Sequence, residues 1–248
     1  MSLADLVAST LVALVIGLLI GTIGIGGVLL TPWLSQVIGL PVRDAIMISS
    51  FAFIGTGIAA LVVSARALRG ADRMDWRLVG ATLPGALLGT WALSLIPGWI
   101  ALALLAVLTM VIGLRVLFVD AIGRRVQEPP RSTPALPIGL LTGFVSALTG
   151  TGGPMVLTPI LLGRGVPMLT AILTGQAVQL PIALTATAGN LALADVDIGA
   201  GVAIGLMLVP GALIGRRLAA ALPLVALSRL VGATLVAAGC GFALKALR

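Results

Sequence analysis

The sequence contains no histidine, no tyrosine and a single cysteine, Cys240, among 248 residues. One cysteine excludes an intrachain disulfide and any cysteine-based metal cluster. Without histidine or tyrosine, much of the acid–base and nucleophilic chemistry of enzymes has no side chain to carry it. We therefore expect no enzymatic activity, no cofactor and no metal site.

Charged side chains are also scarce: they make up 9% of the chain, whereas soluble domains carry about 25%. Hydrophobic residues make up 59%, and the mean hydropathy is +1.21. Apolar runs recur along the whole chain at lengths near the ~20 residues that cross a bilayer, so they are not one leader ahead of a soluble domain. The sequence predicts an all-α polytopic protein of the cell membrane, surrounded by lipid.

The charges that are present are mostly positive, with 15 basic against 8 acidic residues. In a membrane protein such an excess indicates how the chain is oriented in the membrane, because cytoplasmic loops are enriched in Lys and Arg. We therefore expect no nucleic-acid partner. No acid falls inside an apolar segment, so a proton-relay carboxylate is missing and the coupling ion stays unknown. The acids lie at predicted segment ends or in loops: Asp5, Asp44, Asp72, Asp75, Asp120, Glu128, Asp195 and Asp197.

The chain is an internal duplication. A shift of 126 residues brings GLPVRDAI at Gly39 onto GVPMLTAI at Gly165, and PGALLG at Pro84 onto PGALIG at Pro210. A charged, proline-rich stretch separates the copies and is typical of a linker outside the membrane. We predict repeat 1 over residues 1–120, the linker over 121–134 and repeat 2 over 135–248.

Each repeat begins with a segment that glycines interrupt, and this segment decides the topology. If the segment crosses once, each repeat has four crossings and the repeats are parallel; if it is a hairpin, each has five and the repeats are inverted. Inverted repeats place twelve Arg on one side against three basic residues on the other, whereas parallel repeats give ten against five. We therefore favour inverted repeats, each with a short re-entrant arm.

The two interruptions read TIGIGGVLLTP at residues 22–32 and LTGTGGPMVLTP at residues 148–159. Backbone groups freed by a helix break cannot face lipid, so each break must be buried or line a wet cavity. The helix that resumes after the glycines directs its first N–H groups and its positive dipole end into the break, which suits an anion. A single glycine is more often a packing residue, but matched interruptions in two repeats indicate a transport site.

The segments GTIGIGGVLLTPWL and GFVSALTGTGGPMVLTPILL, together with the repeated PGA motif, resemble the TauE/SafE (TSUP) family of sulfite and organosulfonate exporters. The resemblance covers essentially the whole chain. It implies transport of small, often sulfur-containing anions, such as sulfite, sulfoacetate or related sulfonates. Together with the paired breaks, it leads us to expect a secondary transporter, and an exporter, that works by alternating access at a site between the repeats.

The candidate substrate-binding residues are the two breaks and the nearby polar side chains. Gln176 and Gln179 share one face of a continuous helix and need partners in hydrocarbon. Arg43 and Arg229 are weaker candidates, because both lie near segment ends. The full predicted set is Gly24, Gly26, Gly27, Val28, Thr31, Ser50, Gly150, Thr151, Gly152, Gly153, Met155, Gln176 and Gln179.

Three other functions compete with a carrier. The sequence does little to distinguish a carrier from an anion channel of the same architecture. An intramembrane enzyme lacks acids, histidines or an activated nucleophile within the apolar segments. A structural partner subunit lacks a docking segment or a long soluble extension, although a homo-oligomer stays possible.

Overall fold

A computed structural model of the chain describes residues 2–24, 26–67, 75–118, 134–195, 197–218 and 224–246. The linker predicted over 121–134 lies outside these ranges except for Pro134. Helices occupy nearly all of the described residues, and no strand occurs among them. The predicted all-α fold is therefore confirmed.

Eleven helices are described. A 3₁₀ turn over Gly26–Leu29 precedes the short second helix, Leu30–Pro32, and a π-helical turn over Trp33–Val37 follows that helix. The helices are α1 Leu3–Ile23, α2 Leu30–Pro32, α3 Val42–Ala67, α4 Trp76–Leu95, α5 Gly98–Phe118, α6 Ala135–Thr149, α7 Pro154–Gly163, α8 Met168–Ala177, α9 Gln179–Leu193, α10 Ile198–Leu218 and α11 Leu224–Ala246.

Among the described residues, seven spans are long and apolar enough to cross a membrane, with α8 and α9 together forming one of them. The helices α6 and α7 are shorter, and the ten residues of α7 rise only about 15 Å at 1.5 Å per residue. The spans expose many large apolar side chains, including Trp76 and Trp99 near their ends, where tryptophan suits the lipid interface. The chain is a multi-pass membrane protein.

Glycines let the first helix of each sequence half approach a helix of the other half. A Cβ added at Gly17 or Gly21 of α1 would overlap the carbonyl group of Leu208 or Ala212 of α10. Residue numbers rise together along this contact, so α1 and α10 are parallel. The helices α4 and α6 are parallel in the same way, since Gly85 lies against Leu140 and Gly89 against Phe144. Small residues permit such close backbone approach.

The helices α5 and α11 pack antiparallel. A Cβ at Gly113 of α5 would lie 2.8 Å from the Gly232 carbonyl oxygen, whereas a Cβ at Gly239 would lie 3.0 Å from Thr109 Oγ1. Along this contact, residue numbers in α5 therefore decrease as residue numbers in α11 increase. The pairs α1–α10, α4–α6 and α5–α11 form the largest helix contacts, and each joins the two sequence halves.

Hydrogen bonds identify the helix ends that share a face of the bundle. The Arg43 guanidinium, at the start of α3, donates to the carbonyl of Ile96, between α4 and α5. Lys245 Nζ, at the end of α11, donates to Ser35 O at 2.9 Å. At the other face, Arg115 near the end of α5 donates to Pro159 O of α7 at 3.3 Å. The two arms after the breaks thus return toward opposite faces.

Basic residues are divided unequally between these faces. We call the face where α3, α5 and α10 end the arginine-rich face. Among described side chains it carries Arg77, Arg115, Arg164, Arg216, Arg217 and Arg229, whereas the opposite face carries Arg43 and Lys245.

Candidate functional site

The first break turns the chain back onto α1. Gly24 ends the helix with φ +77° and donates its N–H to Ile20 O at 3.0 Å, which is the left-handed helix end that glycine favours. Gly26 is a packing residue, because a Cβ there would lie 2.7 Å from the Ile20 nitrogen. Gly27 instead faces α3, and its Cβ would lie 3.1 Å from the ring of Phe53.

The second break is more contorted. Gly150, Gly152 and Gly153 all have positive φ, at +64°, +79° and +105°, a region that other residues rarely adopt. The helix α7 then begins at Pro154, a residue suited to the first helical position. The N–H groups of Gly152, Gly153 and Met155 donate to no acceptor in the described part of the chain. This break therefore carries unpaired amides at a helix N-terminus.

The two breaks are joined directly. Thr31 Oγ1, in α2, lies 3.1 Å from the Gly150 carbonyl oxygen and 3.1 Å from Ser49 Oγ of α3. The ring of Phe53 lies between the breaks, 3.2 Å from the position of a Cβ on Gly152 as well as close to Gly27. Since Ser49 and Phe53 belong to a membrane span, both breaks lie within the length of that span.

A small central cavity lies at this junction. It offers about 10 Å³ to water centres, which is room for about one water molecule. The lining residues carry no charged side chain among those described; they are Ile20, Gly24, Gly27, Phe53, Thr151, Pro154, Met155 and Gln179. The cavity must widen before it can hold an anion the size of sulfite.

The glutamines differ from the sequence expectation. A continuous helix would place Gln176 and Gln179 on one face, but α8 ends at Ala177 and α9 begins at Gln179. Gln179 is buried, lines the central cavity and donates Nε2 to Thr56 Oγ1 at 2.8 Å. Gln176 instead lines a second cavity and donates to Ile20 O over a longer 3.4 Å.

The remaining predicted residues occupy different parts of the site. Ser50 donates to Ile46 O of its own helix at 2.8 Å, so its hydroxyl is already satisfied. The side chain of Val28 packs in the core, which leaves only its backbone for a ligand. Thr151 Oγ1 lies 3.1 Å from Thr149 Oγ1, and both are buried.

Sequence reasoning missed Phe53, Ile20 and Pro154 as cavity-lining residues. A signal for Phe53 was present, because the 126-residue shift places it on Gln179, and both residues line the central cavity. Of the two weaker candidates, Arg43 binds a carbonyl at the bundle end and Arg229 is exposed in α11. Neither lies at the central cavity.

The chain matches the family described as "Sulfite exporter TauE/SafE" over residues 6–242. It belongs to that family. TauE/SafE proteins are membrane transporters of the sulfite-exporter type rather than enzymes, which agrees with an uncharged site made from helix breaks. Comparison with curated proteins and with solved structures gives no match.

Proposed function

We propose that this TauE/SafE protein is a secondary transporter of small sulfur oxyanions in the cell membrane. Its physiological direction is export, and its cargo is sulfite or a sulfonate such as sulfoacetate. The observation that carries this proposal is the junction of the two glycine breaks, where unpaired amides of the second break lie beside a buried cavity. Amides at a helix N-terminus bind anions without a basic side chain.

Main-chain N–H groups are the principal anion donors in this proposal. They belong to Gly26–Val28 in the first break and to Gly152, Gly153 and Met155 in the second. Gln179 and Thr151 add side-chain donors from the cavity wall. A site without charged side chains favours weak and reversible binding, which a carrier needs because each anion must also leave.

Alternating access would act between two inverted repeats, 1–120 and 135–248. One helix contact and the placement of the two arms support the inversion. Helices α5 and α11 correspond under the 126-residue shift and pack antiparallel. The contacts α1–α10 and α4–α6 exchange with each other when the repeats are exchanged; both are parallel, as either arrangement of the repeats would give. The arms after the breaks return toward opposite faces, as re-entrant hairpins of inverted repeats should.

Flux measurements test the transport function. We expect purified protein in proteoliposomes to carry sulfite and sulfoacetate with saturable kinetics and counterflow, and to carry sulfate and taurine more slowly. Liposomes without protein provide the control for membrane leakage. Flux that rises linearly with concentration and shows no counterflow would instead favour an anion channel, and absence of sulfur-oxyanion flux would reject the cargo.

Thiol labelling tests the inverted arrangement. In a Cys240→Ala background, we expect Asp75→Cys to react from the cytoplasm and Asp195→Cys from outside, because positive residues accumulate on the cytoplasmic side. Both residues are exposed, Asp75 just before α4 and Asp195 just after α9. Reaction of both thiols from the same side contradicts the inverted repeats.

A further inference from the structure

A second cavity lies between the site region and the arginine-rich face. It offers about 40 Å³ to water centres, four times the volume of the central cavity. Its walls are α3 from Thr56 to Val63 and α10 from Ala212 to Arg216, and it shares Ile20 with the central cavity. Thr56, at its inner end, bonds the central Gln179. We call this space the vestibule.

The vestibule has a graded polarity. Arg216 is exposed in the last turn of α10 and is the charged member of the described lining. Gln176 and Thr56 are the polar side chains farther in, and the rest of the lining is apolar or glycine. A guanidinium at the mouth and amide or hydroxyl groups inside provide successive donors for an oxyanion that moves from the face to the site.

The equivalent place in the other half is packed. The 126-residue shift places Gly189 on Val63 and Thr90 on Arg216. A Cβ added at Gly189 would lie only 2.8 Å from Thr90 Cγ2, and the Thr90 hydroxyl is bonded to Ala86 O of its own helix. The gap between α3 and α10 at Val63 and Arg216 therefore has no equivalent between Gly189 and Thr90.

We propose that the vestibule is the access route for the anion from the arginine-rich face and that Arg216 is its capture residue, with Gln176 as the next donor inward. This inference rests on the proposed transport of sulfur oxyanions. A cation at the mouth of a low-dielectric cleft raises the local anion concentration and the association rate. Because Arg216 is exposed and hydrated, it speeds capture without holding the anion tightly.

The chain offers a matched control for Arg216. Arg217 is its neighbour, has the same charge and is equally exposed at the end of α10, but it is not among the described residues that line the vestibule. We expect Arg216→Gln to lower kcat/KM for sulfite about 5- to 10-fold at low salt, mainly through KM, and Arg217→Gln to change it less than about 2-fold. Arg216→Lys should recover part of the loss, because it keeps the charge but not the guanidinium fork.

A chemical readout separates the access route from transport itself. In a Cys240→Ala background, Val63→Cys places a thiol in the vestibule wall. We measure its reaction with sulfonatoethyl methanethiosulfonate, which carries a sulfonate, and with the cationic trimethylammonium analogue. Adding Arg216→Gln should slow the anionic reagent relative to the cationic one by about 3- to 10-fold, and raised salt should shrink that difference.

Two results overturn this role for Arg216. Equal effects of Arg216→Gln and Arg217→Gln mean that only the general surface charge matters, and an unchanged reagent ratio means that the vestibule is not an anion route. Both results leave wild-type flux intact, so they differ from failure of the proposed function, in which wild-type protein carries no sulfur oxyanion.

Discussion

Gly153→Ala is expected to abolish most anion transport although it adds a single methyl group. The residue has φ +105°, which an L-residue adopts only under strain. The new Cβ would lie 2.9 Å from Ile182 Cδ1 and 3.0 Å from Val178 Cγ2, so both neighbours must move. We expect a loss of about 1–3 kcal/mol of stability and a displacement of the unpaired amides at Gly153 and Met155. Thermal unfolding and proteoliposome flux measure the two effects.

Gly163→Ala is the matched control, because Gly163 ends the same helix α7. A Cβ there would meet no atom within 4 Å, and its φ is not positive. We expect normal stability and normal flux. Full transport in folded Gly153→Ala would move the anion site away from the second break and leave its glycines as packing residues.

The 126-residue shift superposes Gly27 on Gly153. The structure separates the two positions. Gly27 lacks a positive φ, and its Cβ would meet the edge of the Phe53 ring at 3.1 Å. Sequence patterns identify where glycine recurs, but only backbone geometry distinguishes a glycine required by φ from one required by space.

The positions of the helices were largely predictable, because hydropathy and the helix-breaking residues glycine and proline are local signals in the sequence. Each repeat was expected to begin with a segment that glycines interrupt, and in the first repeat the structure has α1 over Leu3–Ile23 followed by a turn. The interruption between α8 and α9 was not expected, although Pro181 in the first turn of α9 signals it, because proline has no N–H to donate to the carbonyl four residues earlier and its ring clashes with that carbonyl. Its consequence, the separation of Gln176 from Gln179, therefore escaped sequence reasoning.

Contacts between residues that are far apart in the sequence could not be predicted from local sequence patterns. Thr31 was expected to donate to a ligand, but it lies against a carbonyl that is 119 positions away in the sequence. Ser49 rather than Ser50 takes part in this contact, because adjacent helical residues point in different directions. The two glycine breaks could be identified from the sequence, but the cavity-lining residues Ile20, Phe53 and Pro154 and the hydrogen bond between the breaks could not.

Thr31→Val is expected to weaken the junction of the two breaks. The substitution keeps the shape and removes the hydroxyl, so the buried Gly150 carbonyl loses its Thr31 donor. An unpaired buried acceptor costs about 1–3 kcal/mol, and the free energy of unfolding should fall by that amount. Flux should fall at least about 5-fold, because 1 kcal/mol already changes an equilibrium between site geometries by about that factor.

Thr109→Val is the matched control for Thr31→Val. Thr109 is also fully buried, but its hydroxyl donates to Leu105 O and Ala106 O of its own helix, whose carbonyls have helical N–H partners. We expect little change from Thr109→Val, and we expect Thr31→Ser to recover most of the flux because it keeps the donor. If Thr31→Val and Thr109→Val behave alike, the bond between the breaks does not couple the two halves. If only Thr31→Val and not Thr31→Ser loses transport, the hydroxyl of Thr31 holds the second break in its transporting geometry.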